Sequence, residues 1–165
     1  MNKILSREDL KKRVAALKRE EKRIVFTNGC FDILHIGHVK YLEQAKGLGD
    51  ILVLALNSDS SVRSIKGPLR PVVPENERAY IMASLEVVDY VTMFDEDTPL
   101  ALIEAIEPDI LVKGGDWSQD AIVGRESVEK RGGRVVIVPQ FSGTGADHPA
   151  STTSVIERII NAYEK

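Results

Sequence analysis

Six consecutive apolar residues, at positions 51–56, constrain the fold of this 165-residue chain more than any other feature of its sequence. No polar residue interrupts the run, so it predicts a strand that is covered on both faces, as in parallel sheets. Short segments rich in β-branched residues predict further strands at residues 23–28, 90–94, 109–113 and 134–138. Segments with a helical period separate them, at residues 10–17, 36–46, 61–65, 75–85, 98–106, 122–131 and 153–163.

This alternation predicts an α/β fold: a single Rossmann-like, doubly wound parallel sheet of about five strands, with helices on both faces. We expect one domain over residues 1–165, made of a helical extension over 1–22 and an α/β core over 23–165. The extension either packs on the core or mediates a dimer. Ligands of such sheets bind beyond the carboxyl ends of the strands, so functional residues are expected directly after strands.

Composition narrows the class of protein. The net charge is −3, which does not suggest a nucleic-acid partner. No apolar stretch approaches the roughly 18 residues of a membrane helix, and the charged N-terminus is no signal peptide. Cys30 is the only cysteine, so disulfides within the chain and cysteine-built metal sites are excluded. We expect a cytoplasmic protein with no membrane partner.

Two histidines, His35 and His38, bracket Gly37 between the first predicted strand and the next helix. A helix N-terminus attracts anions, and two imidazoles there could hydrogen-bond a polyphosphate and stabilise charge that develops on it. The alternative is that both histidines cap the helix or lie in the core. Because the chain has 3 histidines and two of them fall within this turn, we favour the functional interpretation.

Other candidate sites also follow strands or open helices. The hydroxyls of Ser151, Thr152 and Thr153 suit terminal phosphates, although the segment taken alone favours helix capping, because Ser154 and Glu157 form a capping box by themselves.

The segment that begins at Lys113 could approach a ligand through Gly115 and contact it through Asp116, or it could be an ordinary Gly-Gly turn. Lys66, Arg70 and Arg78 could clamp an anionic substrate or be solvated surface charges. The sequence lacks the G-x-G-x-x-G, P-loop and G-x-S-x-G motifs, which disfavours dinucleotide binding, P-loop kinases and common hydrolases.

With H-I-G-H at 35–38 and S-T-T at 151–153, the chain resembles the cytidylyltransferase-like nucleotidyltransferases. The longer strings G-C-F-D-I-L-H-I-G-H, K-G-P-L-R-P-V, E-D-T-P-L and L-V-K-G-G-D-W resemble the branch that makes ADP-heptose from D-glycero-β-D-manno-heptose 1-phosphate and ATP. That branch often carries a sugar kinase domain, which 165 residues cannot hold, so we expect the stand-alone form. The segment 141–150 is longer than is usual before the S-T-T motif, and Ser154 stands where many relatives have a basic residue.

The resemblance implies a set of roles. His35, His38, Lys66 and Arg78 would be catalytic, and Arg70 would contact the substrate phosphate. Nucleotide binding would involve Thr27, Gly29, Phe31, Asp32, Gly37, Lys113, Gly115, Asp116, Ser151, Thr152 and Thr153. The partners would be ATP and a sugar 1-phosphate, with Mg²⁺ held mainly by phosphates and water. The family also suggests a possible homodimer and a place in lipopolysaccharide biosynthesis.

Alternative functions stay open on sequence alone. Glycerol-3-phosphate cytidylyltransferases share both signature motifs, and a test of ATP against CTP separates the two activities. A nucleotide-binding module without turnover, or a purely structural domain, would need fewer of these residues.

Overall fold

A computed structural model describes residues 2–115, 118–139, 141 and 150–164. Within these ranges the strands are β1 (Ile24–Gly29), β2 (Ile51–Asn57), β3 (Tyr90–Phe94), β4 (Ile110–Gly114) and β5 (Arg134–Val138). The helices are α1 (Arg7–Arg19), α2 (Ile36–Lys46), α3 (Asp59–Lys66), α4 (Glu75–Ser84), α5 (Leu100–Ile106), α6 (Arg125–Glu129) and α7 (Thr152–Tyr163), with a short 3₁₀ turn at Gln119–Ala121.

All strand pairs are parallel, in the order β3-β2-β1-β4-β5. Strands β2 and β3 are therefore added in turn on one side of β1, and β4 and β5 are added in turn on its other side. The predicted fold class is confirmed. This order puts the topological switch point, where ligands bind in open α/β sheets, between β1 and β4.

Alternate residues of the central strands supply two separate cores. Phe26, Val53 and Leu111 pack with helices α1, α5 and α6 on one face of the sheet. Val25, Leu54 and Val112 pack with α2 and α4 on the other face. The unbroken apolar run of β2 is explained by this arrangement, because its side chains enter both cores.

The N-terminal extension packs on the sheet. Ser6 caps α1, and Leu10, Val14 and Leu17 on that helix are buried in the first core. Before the helix, Ile4 pairs with Val91 in a parallel bridge along the edge of β3.

Several helix boundaries differ from the expectation by one to three residues. The helix predicted at 122–131 begins only at Arg125, because Gly124 adopts a φ of 88° and interrupts the helical backbone. The last helix begins at Thr152, one residue earlier than expected. No helix in the described ranges is long and apolar enough to cross a membrane.

Candidate active site

A cleft of about 440 Å³ lies beyond the carboxyl ends of β1 and β4, at the switch point. Its walls come from five segments: the β1–α2 turn (residues 28–38), Lys66 and Arg70 at and after the end of α3, the end of β4 with Gly115, Pro139 and Phe141 after β5, and the beginning of α7. Most of the predicted site residues border it: Gly29, Phe31, Asp32, His35, Gly37, His38, Lys66, Arg70, Gly115, Ser151, Thr152 and Thr153. Larger concavities of about 580 and 800 Å³ lie at the amino ends of the strands and beside α6, away from these residues.

The two histidines of the motif form one unit. His35 is the N-cap of α2, and its Nδ1 accepts a hydrogen bond of 3.1 Å from the Gly37 amide. His38, one turn into the helix, stacks on it with ring centroids 3.7 Å apart. The capping interpretation is therefore correct for His35, yet the same residue borders the cleft. Since Nδ1 of His35 accepts, the proton of its neutral ring lies on Nε2.

Both imidazoles are neutral near pH 7. Burial lowers the pKa of His35. Burial and the neighbouring His35 lower the pKa of His38 to about 3, and the carboxylate of Asp32 opposes this shift. The Nδ1 atom of His38 is buried and has no hydrogen-bond partner among the described residues. The pair therefore offers neutral hydrogen-bonding groups, and an arriving polyphosphate would raise both pKa values.

Glycines allow this turn to close tightly. A Cβ on Gly37 would lie 2.8 Å from the Ala150 carbonyl oxygen and 3.0 Å from the His35 ring. A Cβ on Gly29 would lie 2.8 Å from the ring of Phe31. Phe31 has a φ of 43°, and the centroid of its ring is 5.0 Å from that of the His38 ring. The histidine turn therefore lies between the ring of Phe31 and the start of α7.

Asp32 braces the wall on the other side of the histidines. Its side chain is fully buried and accepts hydrogen bonds from Arg70 at 2.6 Å and from the Val72 and Val73 amides. Burial raises the pKa of this carboxyl, but the two amides and Arg70 outweigh that effect and lower the pKa overall. Asp32 thus fixes the proline loop, residues 67–74, beside the cleft.

Arg78 has a different place from the one expected. It is 0% exposed and donates to the Val73 carbonyl, the Cys30 carbonyl and Asp59, at 3.0, 2.6 and 2.8 Å. These bonds use three of its five N–H groups, and Arg78 is not among the described residues that border the cleft. Arg78 ties the β1–α2 turn, α3 and the proline loop together, a long-range function that its position in the sequence does not reveal, and its catalytic role stays a prediction.

Thr27 also lies outside the cleft. Its side chain is 0% exposed, and its hydroxyl is 2.6 Å from that of Tyr41, a residue that the sequence analysis missed. Lys66 and Arg70 do reach the cleft, Lys66 as an exposed cation and Arg70 as a cation held by Asp32.

The backbone after β4 forms the floor. Gly115 has a φ of 100°, and its amide donates to the Val138 carbonyl at 3.0 Å. Lys113 donates to the amide oxygen of Asn28, and burial lowers its pKa to about 8. Asp116 lies outside the described residues, as does most of the 141–150 segment.

The beginning of α7 borders the cleft next to the histidine turn, since the Ala150 carbonyl lies against Gly37. Ser151 is the N-cap, and its hydroxyl accepts from the Ser154 amide at 3.1 Å. The expected cap at Ser154 is thus replaced by Ser151, while Ser154 itself is buried. Hydroxyls and the helix N-terminus together suit an anion.

Known proteins share this sequence and fold. The profile of the cytidylyltransferase-like family matches residues 26–158. The bifunctional protein HldE of Syntrophotalea carbinolica is 53% identical over 99% of this chain and 32% of its own length. HldE of Geobacter sulfurreducens is 56% identical over 91% of this chain and 29% of its own length. The chain therefore spans about a third of the length of these relatives.

A solved structure shares both sequence and fold with this chain. The lipopolysaccharide core biosynthesis protein from Thermoplasma volcanium is 32% identical, with a TM-score of 0.61, over 73% of this chain and 97% of that chain. The resemblance found in the motifs is confirmed by these matches. The chain belongs to the cytidylyltransferase-like family.

Proposed function

We propose that this chain transfers AMP from ATP to D-glycero-β-D-manno-heptose 1-phosphate, releasing pyrophosphate and forming ADP-heptose. The observation that carries the proposal is the stacked His35–His38 pair, which borders a cleft at the switch point together with the N-terminus of α7. Two neighbouring anion-binding elements suit a polyphosphate that contacts both of them.

The reaction needs positioning more than it needs a proton acceptor. A phosphate oxygen of the sugar 1-phosphate attacks the α-phosphorus of ATP, a new P–O bond forms, and the bond to the β-phosphate breaks as pyrophosphate leaves. The attacking oxygen is already anionic, so no general base is required, and because it attacks the α-phosphorus directly no covalent enzyme intermediate forms. His35 and His38 hydrogen-bond the phosphates and stabilise charge in the transition state, while Ser151, Thr152 and Thr153 hold the leaving pyrophosphate.

Cations at the rim complete the substrate site. Lys66 is exposed at the cleft, and Arg70 is held in place by Asp32 at 2.6 Å. We assign both to the acceptor phosphate, because a preorganised guanidinium pays little entropy when it binds an anion. The floor at Lys113, Gly114 and Gly115 is assigned to the nucleoside.

Magnesium fits this site as a phosphate-bound ion. Asp32 is the one carboxylate that borders the cleft in the described ranges, and both its oxygens already accept protein hydrogen bonds. The described residues also contain no cluster suited to a metal ion. Mg²⁺ held by phosphates and water would neutralise phosphate charge.

The substrate assignment rests on similarity to the relatives described above. The two HldE proteins are 53% and 56% identical to this chain, and the structural relative is a lipopolysaccharide core biosynthesis protein. We propose that the product feeds surface carbohydrate synthesis and that the reaction takes place in the cytoplasm, where ATP is available.

The test is pyrophosphate release by purified protein with Mg²⁺, ATP and the β-configured heptose 1-phosphate. We expect turnover with this pair, little with CTP and glycerol 3-phosphate, and a loss of roughly 10²–10³-fold in His38→Ala. An exposed control, Lys40→Ala on the same helix, should keep wild-type rates because its Nζ pairs with Glu43 on the surface. Turnover with CTP alone would refute the adenylyl assignment, and ATP binding without turnover would favour a non-catalytic module.

A further inference from the structure

Strands β1 and β4 separate at the switch point. In the described residues they pair at two positions, Val25↔Ile110 and Phe26↔Leu111, although β1 continues to Gly29 and β4 to Gly114. On its other side β1 pairs with β2 along its whole length, up to Gly29↔Leu56. The floor of the cleft therefore lies over a gap between two strands whose ladder has ended.

Tyr41 fills this gap from α2. Its hydroxyl donates to the Val112 carbonyl of β4 at 3.2 Å and lies 2.6 Å from Oγ1 of Thr27 in β1. A phenol has one proton, so Thr27 must be the donor in the second bond. One oxygen atom thus joins the two strands just beyond their last paired residues.

The ring of Tyr41 is fitted as closely as its hydroxyl. A Cβ on Gly114 would lie 2.9 Å from Cε2 of Tyr41, so the backbone of β4 rests directly on the ring. The ring also packs against Phe31, with centroids 6.3 Å apart, and Phe31 in turn packs on His38. Tyr41 therefore contacts the floor of the cleft and the aromatic support of the histidines.

We propose that Tyr41 is a positioning residue, which sets the separation of β1 and β4 and so holds the Gly114–Gly115 backbone at the correct distance from His35 and His38. This inference rests on the proposed adenylyl transfer, in which the nucleoside lies on Gly114–Gly115 and its phosphates lie on the histidines. Burial raises the pKa of Tyr41 to about 12. The hydroxyl therefore stays protonated at neutral pH and acts through its hydrogen bonds.

The direct test compares Tyr41→Phe with Tyr80→Phe. Tyr41→Phe keeps the ring on Gly114 but removes both hydrogen bonds, whereas Tyr80 on α4 is 72% exposed and serves as the matched control. We expect kcat of Tyr41→Phe to fall about 10–100-fold, because a displacement near 1 Å can cost about 10² in rate. The KM for ATP should change less than threefold, and Tyr80→Phe should match the wild type in both.

A second comparison separates positioning from general destabilisation. Thr27→Ser keeps a hydroxyl for Tyr41, while Thr27→Val removes it, and both variants are buried substitutions of similar size. We expect Thr27→Ser to retain at least fivefold more kcat than Thr27→Val. The losses in the double variant Tyr41→Phe/Thr27→Val should be less than multiplicative, because the two residues share one bond.

The outcomes distinguish the two proposals. If the wild type turns over and the folded Tyr41→Phe variant has the same kcat, the positioning role is overturned while the proposed function stands. This holds even if the variant is less thermally stable. Equal effects of Thr27→Ser and Thr27→Val would do the same. Failure of the wild-type protein to turn over any nucleotide and acceptor pair would overturn the proposed function and this inference with it.

Discussion

One wall of the cleft, the β1–α2 turn, is held by buried hydrogen bonds, whereas a second wall, the beginning of α7, is attached through few buried groups. Asp32 and Arg78 each make several contacts behind the histidines. In α7, Ser154 is the buried residue of the helix, while Ile159 and Tyr163 are 52% and 84% exposed.

This difference separates two demands on the site. Imidazoles that stabilise a transition state must be fixed before substrate arrives, since preorganisation is what makes such groups effective. A helix N-terminus that holds a flexible polyphosphate tail acts through partial charge and tolerates looser attachment. Changes to the buried groups of the first wall should therefore lower stability and activity together. Changes in the second wall, or at its contact with Gly37, should lower activity with little loss of stability.

The largest effect is expected where the first wall is anchored. Arg78→Met removes three donors and leaves Asp59 and two carbonyl oxygens without them, so we expect a loss of about 3 kcal/mol in the free energy of unfolding. Activity should be lost in parallel. Urea unfolding measures the first quantity, with the exposed Arg63→Met on α3 as control. A stable but inactive Arg78→Met would instead indicate a direct role in binding phosphate.

The contact between the walls gives the next largest effect. Gly37→Ala would put a Cβ 2.8 Å from the Ala150 carbonyl and push the start of α7 away from the histidines. We expect an activity loss of up to about 10²-fold. The free energy of unfolding should change by less than about 1 kcal/mol, since alanine favours the helix. Activity assays and urea unfolding check this result.

The control for that substitution lies at the other end of the same helix. Gly47→Ala meets its nearest atom at 3.5 Å, an ordinary contact, and should be nearly silent in both assays. Equal losses in Gly37→Ala and Gly47→Ala would contradict the idea that the walls meet at Gly37.

The N-caps of α1 and α7 allow a matched comparison between the packed core and the second wall, with smaller expected effects. Ser6 and Ser151 each accept a hydrogen bond of 3.1 Å from an amide three residues on. Ser6 caps α1, which packs in the core. Ser6→Ala should therefore lower the free energy of unfolding by about 1 kcal/mol and leave the KM for ATP unchanged. Ser151→Ala should cost less stability and raise the KM for ATP about tenfold by loss of a charge-assisted contact. The reverse ranking would refute the comparison.

A pH dependence tests the first wall by itself. The pKa of His38 is about 3 in the folded chain, against an ordinary value of 6.5. Between these values the unfolded chain binds the proton first, so the stability contributed by neutral His38 falls as pH drops from about 6.5 towards 3. Urea midpoints at pH 7 and pH 5 should differ less in His38→Gln than in the wild type. An identical difference in both would show that His38 is not buried in its neutral form.

Local pattern predicted most of the fold and part of the site. The apolar run of β2 could be read from the sequence, because a strand in a sheet buried on both faces needs consecutive apolar residues. The two histidines around Gly37 could be read as well, because a strand-to-helix turn needs particular residues at particular spacings. Arg78 and Tyr41 carry no such signal. Their roles depend on which distant carbonyls become buried beside them, a property of the packed sheet. A buried tyrosine needs a partner for its hydroxyl, yet the sequence does not say that α2 buries position 41.

The bridge between Ile4 and Val91 has a consequence for the outer side of the sheet. The Val91 amide donates to the Lys3 carbonyl and its own carbonyl accepts from the Leu5 amide, both at 2.9 Å. Backbone groups of β3 that would otherwise be open to another chain are thus already occupied. An open strand edge is a template for association between molecules. At Val91 the first residues of the chain therefore already occupy the outer edge of the sheet, far from the cleft that the histidines border.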